Sequence, residues 1–228
     1  MKILAIETAS NLCSVSVLED NKLIKEIISD EAKNHSIMLM PLIDELLNSL
    51  NLKLDDIDLF ACDKGPGSFT GIRIGISTIK GFCDVLNKPC IGISSLDSLA
   101  RNVKENGYIC SLIDAKHDNV YCGIYKFEDN KLTQFENYVF DDINNILELL
   151  KDLKNNIFFV GNCGILYKDM IESVLKNNAI ILQDSETTST LVGLTAFDKY
   201  NLEERFDSFS LNPLYLKKSN AELQQEKK

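Results

Sequence analysis

Residues 65–71 read Gly-Pro-Gly-Ser-Phe-Thr-Gly, between a short apolar run at 57–62 and an amphipathic stretch rich in small residues. Glycine adopts backbone angles closed to other residues and lets a neighbouring backbone come close. The free N–H groups at the start of a following helix can also cradle an anion. The run is not a Walker phosphate loop, because no Gly-Lys-Ser/Thr follows and Pro66 has no N–H to donate. It marks either a phosphate site of another kind or a close-packed protein contact. Acid chemistry is offered by Glu7 and Asp114, each closing an apolar run. Ser10 and Ser68 sit in turns rich in small residues, but no histidine base follows at a recognisable spacing. His35 opens a helix, where the positive end of the dipole disfavours its protonated form. His117 is the second of two histidines in the chain.

The elements that must position these groups form an internal repeat. Residues 3–23 and 109–132 are both β-hairpins, and both continue into the same Glu-Asp-Asn-Lys-Leu string. Asp20-Asn21 and Asp129-Asn130 supply the turn chemistry. A third strand near 23–29 precedes a helix capped by Asn34 and running to about residue 50. Strand 57–62, helix 71–86, strand 90–93 and a helix from about 95 complete the first half. In the second half, strand 132–140 leads to helix 142–153, strand 157–160, helix 165–176, strand 179–182 and helix 189–200. Both halves therefore read βββαβαβα. The expected division is 1–104, 105–205 and a terminal segment 206–228 whose polar tail begins at Ser219.

Composition sets the outer bounds. The 228 residues can hold one large domain or two small ones. A formal net charge of −10 argues against a free-standing nucleic-acid binder, which needs a basic surface. No stretch is long enough for a signal peptide or a membrane span. Seven cysteines without a C-x-x-C spacing, mostly in apolar runs, read as small hydrophobes in a reduced cytoplasm.

Two halves with acid-tipped hairpins resemble the actin/Hsp70/sugar-kinase (ASKHA) superfamily, an α/β architecture in which each hairpin holds one side of a nucleotide phosphate. That likeness fixes no activity. A closer resemblance is carried by Ile3-Leu4-Ala5-Ile6-Glu7-Thr8, Cys13-Ser14-Val15, His35-Ser36, Pro41-Leu42-Ile43, Gly92-Ile93-Ser94-Ser95-Leu96, Ile113-Asp114-Ala115 and Pro213-Leu214-Tyr215-Leu216. Above all it rests on Gly65-Pro66-Gly67-Ser68-Phe69-Thr70-Gly71-Ile72-Arg73-Ile74-Gly75. Together these resemble the bacterial TsaB (YeaZ) family across nearly the whole chain.

The resemblance implies a non-catalytic subunit of the machinery that places threonylcarbamoyl on N6 of the adenosine beside the anticodon, in tRNAs reading codons that begin with A. The donor is threonylcarbamoyl-AMP. The implied partners are the related catalytic subunit TsaD and the ATPase TsaE, with tRNA met through the complex. The catalytic relative carries a His-x-x-x-His metal pair, whose positions fall here on Ser95 and Leu99. Neither replaces an imidazole, so no metal is expected.

The implied partner interface lies on helices 34–50 and 71–86, and a similar surface can make homodimers. The apolar residues of the first helix cover an arc of roughly 200°, wider than packing on a sheet requires. The residues assigned to this interface are His35, Met38, Leu42, Gly71, Gly75, Thr78, Lys80 and Phe82. Mid-helix Gly75 and Gly81 suggest a steric need. Glu7, Thr8, Ser10 and Asp114 read as a vestigial phosphate hairpin, and Lys116, His117 and Asp118 make the second turn bulky. No cofactor of the chain's own is expected, while adenine nucleotide bound weakly or at a subunit boundary stays open. An independent ASKHA-type ATPase or small-molecule kinase using Glu7 and Asp114 is the alternative; a metallopeptidase and a stand-alone homodimeric module are further rivals.

Overall fold

A computed structural model describes residues 1–29, 35–183, 185–201 and 207–217. Asn34 and the tail from Ser219 fall outside these residues. The chain forms two compact units, residues 1–102 with 184–213, and residues 103–183 with the segment from Leu214.

The first unit holds a five-stranded sheet in the order β3-β2-β1-β4-β5. Its strands are β1 (Lys2–Glu7), β2 (Cys13–Glu19), β3 (Lys22–Ser29), β4 (Leu59–Asp63) and β5 (Cys90–Ile93). The hairpin strands pair antiparallel, whereas β1, β4 and β5 run parallel. Helices α1 (His35–Ser49) and α2 (Phe69–Leu86) cover one face. Alternation sorts the side chains: Leu4 and Ile6 join Leu39, Ile43, Leu46, Ile72 and Ile79 under these helices, while Ile3 and Ala5 face the other way. The helix expected from residue 95 is only α3 (Ser95–Ala100). Ser94 caps it by accepting from the Leu96 N–H.

The second unit repeats the hairpin as β6 (Gly107–Asp114) and β7 (Asn119–Glu128). The single strand expected at 132–140 is two, β8 (Lys131–Gln134) and β9 (Val139–Asp142), both paired to β7. Helix α4 (Ile143–Leu150) and strand β10 (Ile157–Val160) follow. The helix expected at 165–176 is broken at Tyr167 into α5 (Asn162–Leu166) and α6 (Lys168–Leu175), before β11 (Ala179–Ile181).

One expectation of domain membership differs. Helix α7 (Ser189–Asn201), placed with residues 105–205 from sequence, packs on β1, β2 and β4 of the first unit. Val192 and Ala196 fill the sheet face left by Ile3, Ala5, Leu18, Leu59 and Ala61. Its first turn is anchored by the Ser189 and Thr190 N–H groups, which donate to Ser14 Oγ and Glu26 Oε1, both at 2.8 Å. Farther along, Lys199 pairs with Asp97 at 2.7 Å and Arg101 with Asp198 at 2.6 Å. The sheet thus has helices on both faces, which explains why β1 and β4 are almost wholly buried. No described helix is long and apolar enough to cross a membrane.

Candidate functional site

The parallel register places the ends of β1 and β4 and the start of α3 side by side, bringing Glu7, Asp63 and Ser95 to one edge of the sheet. In open α/β sheets ligands bind beyond these carboxyl ends. Here the place is filled by the chain itself. Glu7 is fully buried, and its Oε1 accepts the N–H of Ala9 at 2.7 Å and of Ser10 at 2.8 Å. Its Oε2 accepts the Ser10 hydroxyl at 2.9 Å. The amides that a hairpin turn could offer to a phosphate are taken by an internal carboxylate. Burial, with Asp63 adding like charge, pushes the Glu7 carboxyl well above its ordinary value, against the pull of these donors.

The glycine run clamps the same turn from outside. Ser68 N–H donates to the Ala9 carbonyl at 2.7 Å, and the Thr8 hydroxyl donates to the Gly71 carbonyl at 2.8 Å. His35 Nε2–H donates to the Ser10 carbonyl at 3.0 Å. A side chain on Gly71 would put its Cβ 1.8 Å from the Thr8 carbonyl oxygen, and one on Gly67 would come 2.3 Å from that of Ala9. Gly65 holds φ 99°, a conformation suited to glycine. Its N–H donates to Asp63 Oδ1 at 2.7 Å, and Ser95 Oγ donates to the same oxygen at 2.6 Å. The second Asp63 oxygen is buried with no hydrogen-bond partner among the described residues. Burial pushes this carboxyl up to about 7, Asp97 adding to the rise while Ser95 and Gly65 oppose it.

The second hairpin closes on itself in another way. Lys116, His117 and Asp118 all take positive φ, which strains residues that carry a side chain. Asp114 accepts the Lys116 N–H at 2.8 Å and its ammonium at 2.5 Å. Partial burial favours a raised Asp114 carboxyl, but these Lys116 contacts bring it below its ordinary value.

The structure corrects several site expectations. Gly71 and Gly75 are buried, and a Cβ on Gly75 would lie 2.6 Å from Thr8 Oγ1, so the glycine stripe meets the chain's own hairpin. Leu42 is a core residue under the sheet, and half-buried Phe82 packs its ring 5.6 Å from Phe60. Met38, Thr78 and Lys80 are also half-buried. Gly81 has nothing within 4 Å of an added Cβ, so it meets no steric need. The outward apolar residues of these helices are instead Ile37, 66% exposed, Met40, Phe69, covered at 3.8 Å by the Arg73 guanidinium, and Val85, 82% exposed near the end of α2. Registering α1 on the buried residues Leu39, Ile43 and Leu46 would have pointed Ile37 and Met40 outward. No such signal marks Phe69.

Ser95 and Leu99, the positions matched to the metal pair, are both buried in α3. Ser95 serves Asp63, and Leu99 offers only hydrocarbon. No cluster of three or more histidine, cysteine or acidic side chains suited to a metal occurs among the described residues.

The family model "TsaD: tRNA N6-adenosine threonylcarbamoyltransferase" matches residues 22–224. The tRNA threonylcarbamoyladenosine biosynthesis protein TsaB of Bacillus subtilis is 33% identical over 226 residues, 97% of this chain and 96% of that one. YeaZ from Pseudomonas aeruginosa superposes with a TM-score of 0.78 at 23% identity, covering 94% of this chain and 99% of its own. The ROK hexokinase of Thermus thermophilus shares the fold at a TM-score of 0.53 and 8% identity, covering 88% of this chain and 99% of its own. A near full-length match to TsaB, on a sugar-kinase-like scaffold, places the chain in the TsaB (YeaZ) family of tRNA threonylcarbamoyladenosine biosynthesis proteins.

Proposed function

We propose that this chain is a non-catalytic subunit that binds and activates TsaD as it transfers threonylcarbamoyl from threonylcarbamoyl-AMP to N6 of the adenosine beside the tRNA anticodon. The ATPase TsaE works with the pair. The supporting observation is the occupation of the first hairpin turn by Glu7, which consumes the amides an independent ATPase or kinase needs. Work of this kind belongs in the cytoplasm, with tRNA met through the complex. On this reading the chain has no cofactor of its own, and any adenine nucleotide is held at a subunit boundary.

The binding surface is the outer face of α1 and α2, with Ile37, Met40 and Phe69 as apolar anchors and half-buried Met38 and Thr78 beside them. A homodimer would use the same face. Reconstitution with TsaD, TsaE, the donor synthase and tRNA tests the function. Modification is expected to stop when this chain is omitted, and modification at an equal rate without it overturns the proposal. The double change Ile37→Glu and Met40→Glu places charge on exposed positions and spares the core. It is expected to weaken binding to TsaD by about tenfold or more. Titration calorimetry reads this directly, and unchanged affinity removes α1 from the interface.

A further inference from the structure

Asn106 and Gly107 stand where the chain enters β6, just after the first unit's main stretch ends at Asn102. Among the asparagines of the sequence, Asn106 alone is followed by glycine. It is exposed in a bend, and its carboxamide has no hydrogen-bond partner among the described residues. Other asparagines are tied down. The Asn102 amide donates to the Leu99 carbonyl at 3.0 Å, that of Asn119 to the His117 carbonyl at 2.8 Å, and that of Asn145 to Asp141 at 2.9 Å. Gly107, by contrast, is fixed by packing. A Cβ there would stand 2.8 Å from the Asn156 carbonyl oxygen and 2.9 Å from the Phe158 ring. That carbonyl already accepts the Tyr108 N–H at 2.9 Å.

We infer that Asn106 is a modification site, at which the chain converts its own amide to isoaspartate and aspartate. The Gly107 main-chain nitrogen gives up its proton and attacks Cγ of Asn106. An N–C bond forms, the bond from Cγ to the side-chain nitrogen breaks, and ammonia leaves with the proton that Gly107 lost. A five-membered imide remains. Water adds to one of its two carbonyls, and the bond from that carbonyl to the Gly107 nitrogen breaks. Opening at the main-chain carbonyl gives isoaspartate, and opening at Cγ gives aspartate. Glycine suits the attack because no side chain shields its nitrogen, and the Asn106 carboxamide is free to turn onto it. Either product adds a negative charge beside Glu105, and isoaspartate lengthens the main chain by a methylene just where Gly107 pairs with Phe127. The packing that demands glycine at 107 therefore keeps the reactive dipeptide in the sequence.

The test warms the folded, full-length protein at pH 8 and then digests it with trypsin. Peptide 105–116 carries Asn106 as its single asparagine. It is expected to give way to two products, each with the mass of an acid in place of an amide. One of them is expected to accept a methyl group from an isoaspartyl methyltransferase. Conversion is expected to run several-fold faster at pH 9 than at pH 7, because the attacking nitrogen must lose its proton. Asn106→Gln, which would have to close a six-membered ring, is expected to leave the peptide intact over the same interval. A parallel incubation in guanidinium chloride supplies the rate of the unfolded chain. A folded protein that keeps its Asn106 amide while the unfolded one loses it overturns the assignment, as does earlier loss at any other asparagine.

Discussion

Replacing Gly71 with alanine is expected to destabilise the first unit by about 3 kcal/mol or more. The added Cβ would stand 1.8 Å from the Thr8 carbonyl oxygen, well inside any tolerable contact. That oxygen cannot retreat easily. The Thr8 hydroxyl is tied to Gly71, the next carbonyl to Ser68, and the next two amides to Glu7. Relief requires α2 to move away from the hairpin, which opens the core around Ile72, Ile76 and Ile79. Gly81→Ala makes the same chemical change on the same helix with the opposite expected sign. Its Cβ meets nothing within 4 Å, and alanine gains up to ~1 kcal/mol of helix propensity. Urea unfolding of the two variants decides the matter. Equal midpoints, or a shift of the same sign in both, would mean that the helix does not seat on the turn as described.

The second large effect is on pH. Asp63 holds its proton up to about 7 in the folded chain, chiefly because it is buried, while in the unfolded chain it titrates near an ordinary aspartate. Between pH 4 and 7 the folded state therefore binds more protons than the unfolded one, and stability falls as pH rises. Its contribution is complete below the unfolded value and is lost by neutrality, a change of roughly 4 kcal/mol from this carboxyl. Glu7, displaced in the same direction by burial, adds to the decline. Asp63→Asn keeps the acceptor for Gly65 and Ser95 and replaces the unpartnered oxygen with a neutral amide. The variant is expected to unfold at higher urea than the parent at pH 7.5, and at nearly the same urea at pH 4.5. A parent whose stability is flat or rising across this interval contradicts the assignment of a buried, proton-retaining Asp63.

Much of this arrangement is legible in the chain because local chemistry and global fold agree. The hairpins announce themselves by alternation and by Asp-Asn turns, and Glu7 and Asp114 end the strands they were expected to end. Periodicity also finds α2, while the apolar run of β1 marks a buried strand without telling its two faces apart. What it cannot give is the partner of a buried stripe. Gly71 and Gly75 present small residues on one helix face whether that face meets another subunit or Thr8, and only the register of α2 on the hairpin decides. The same gap affects α7. Its pattern specifies burial, but the choice of the first sheet rests on Ser14 and Glu26, far away in sequence. Breaks such as Tyr167 between α5 and α6 leave no glycine or proline to betray them.

That return of α7 has a consequence for how the protein is made. Both units take residues from late in the chain, and the first needs 184–213, which are made after the main stretch of the second, 103–183. As the chain leaves the ribosome, Ile3, Ala5 and Leu59 have no permanent cover until Val192 and Ala196 arrive. The unit whose synthesis begins first therefore cannot close until the main stretch of the second has been made. Over that interval its uncovered sheet face is the part of the nascent protein most in need of a chaperone.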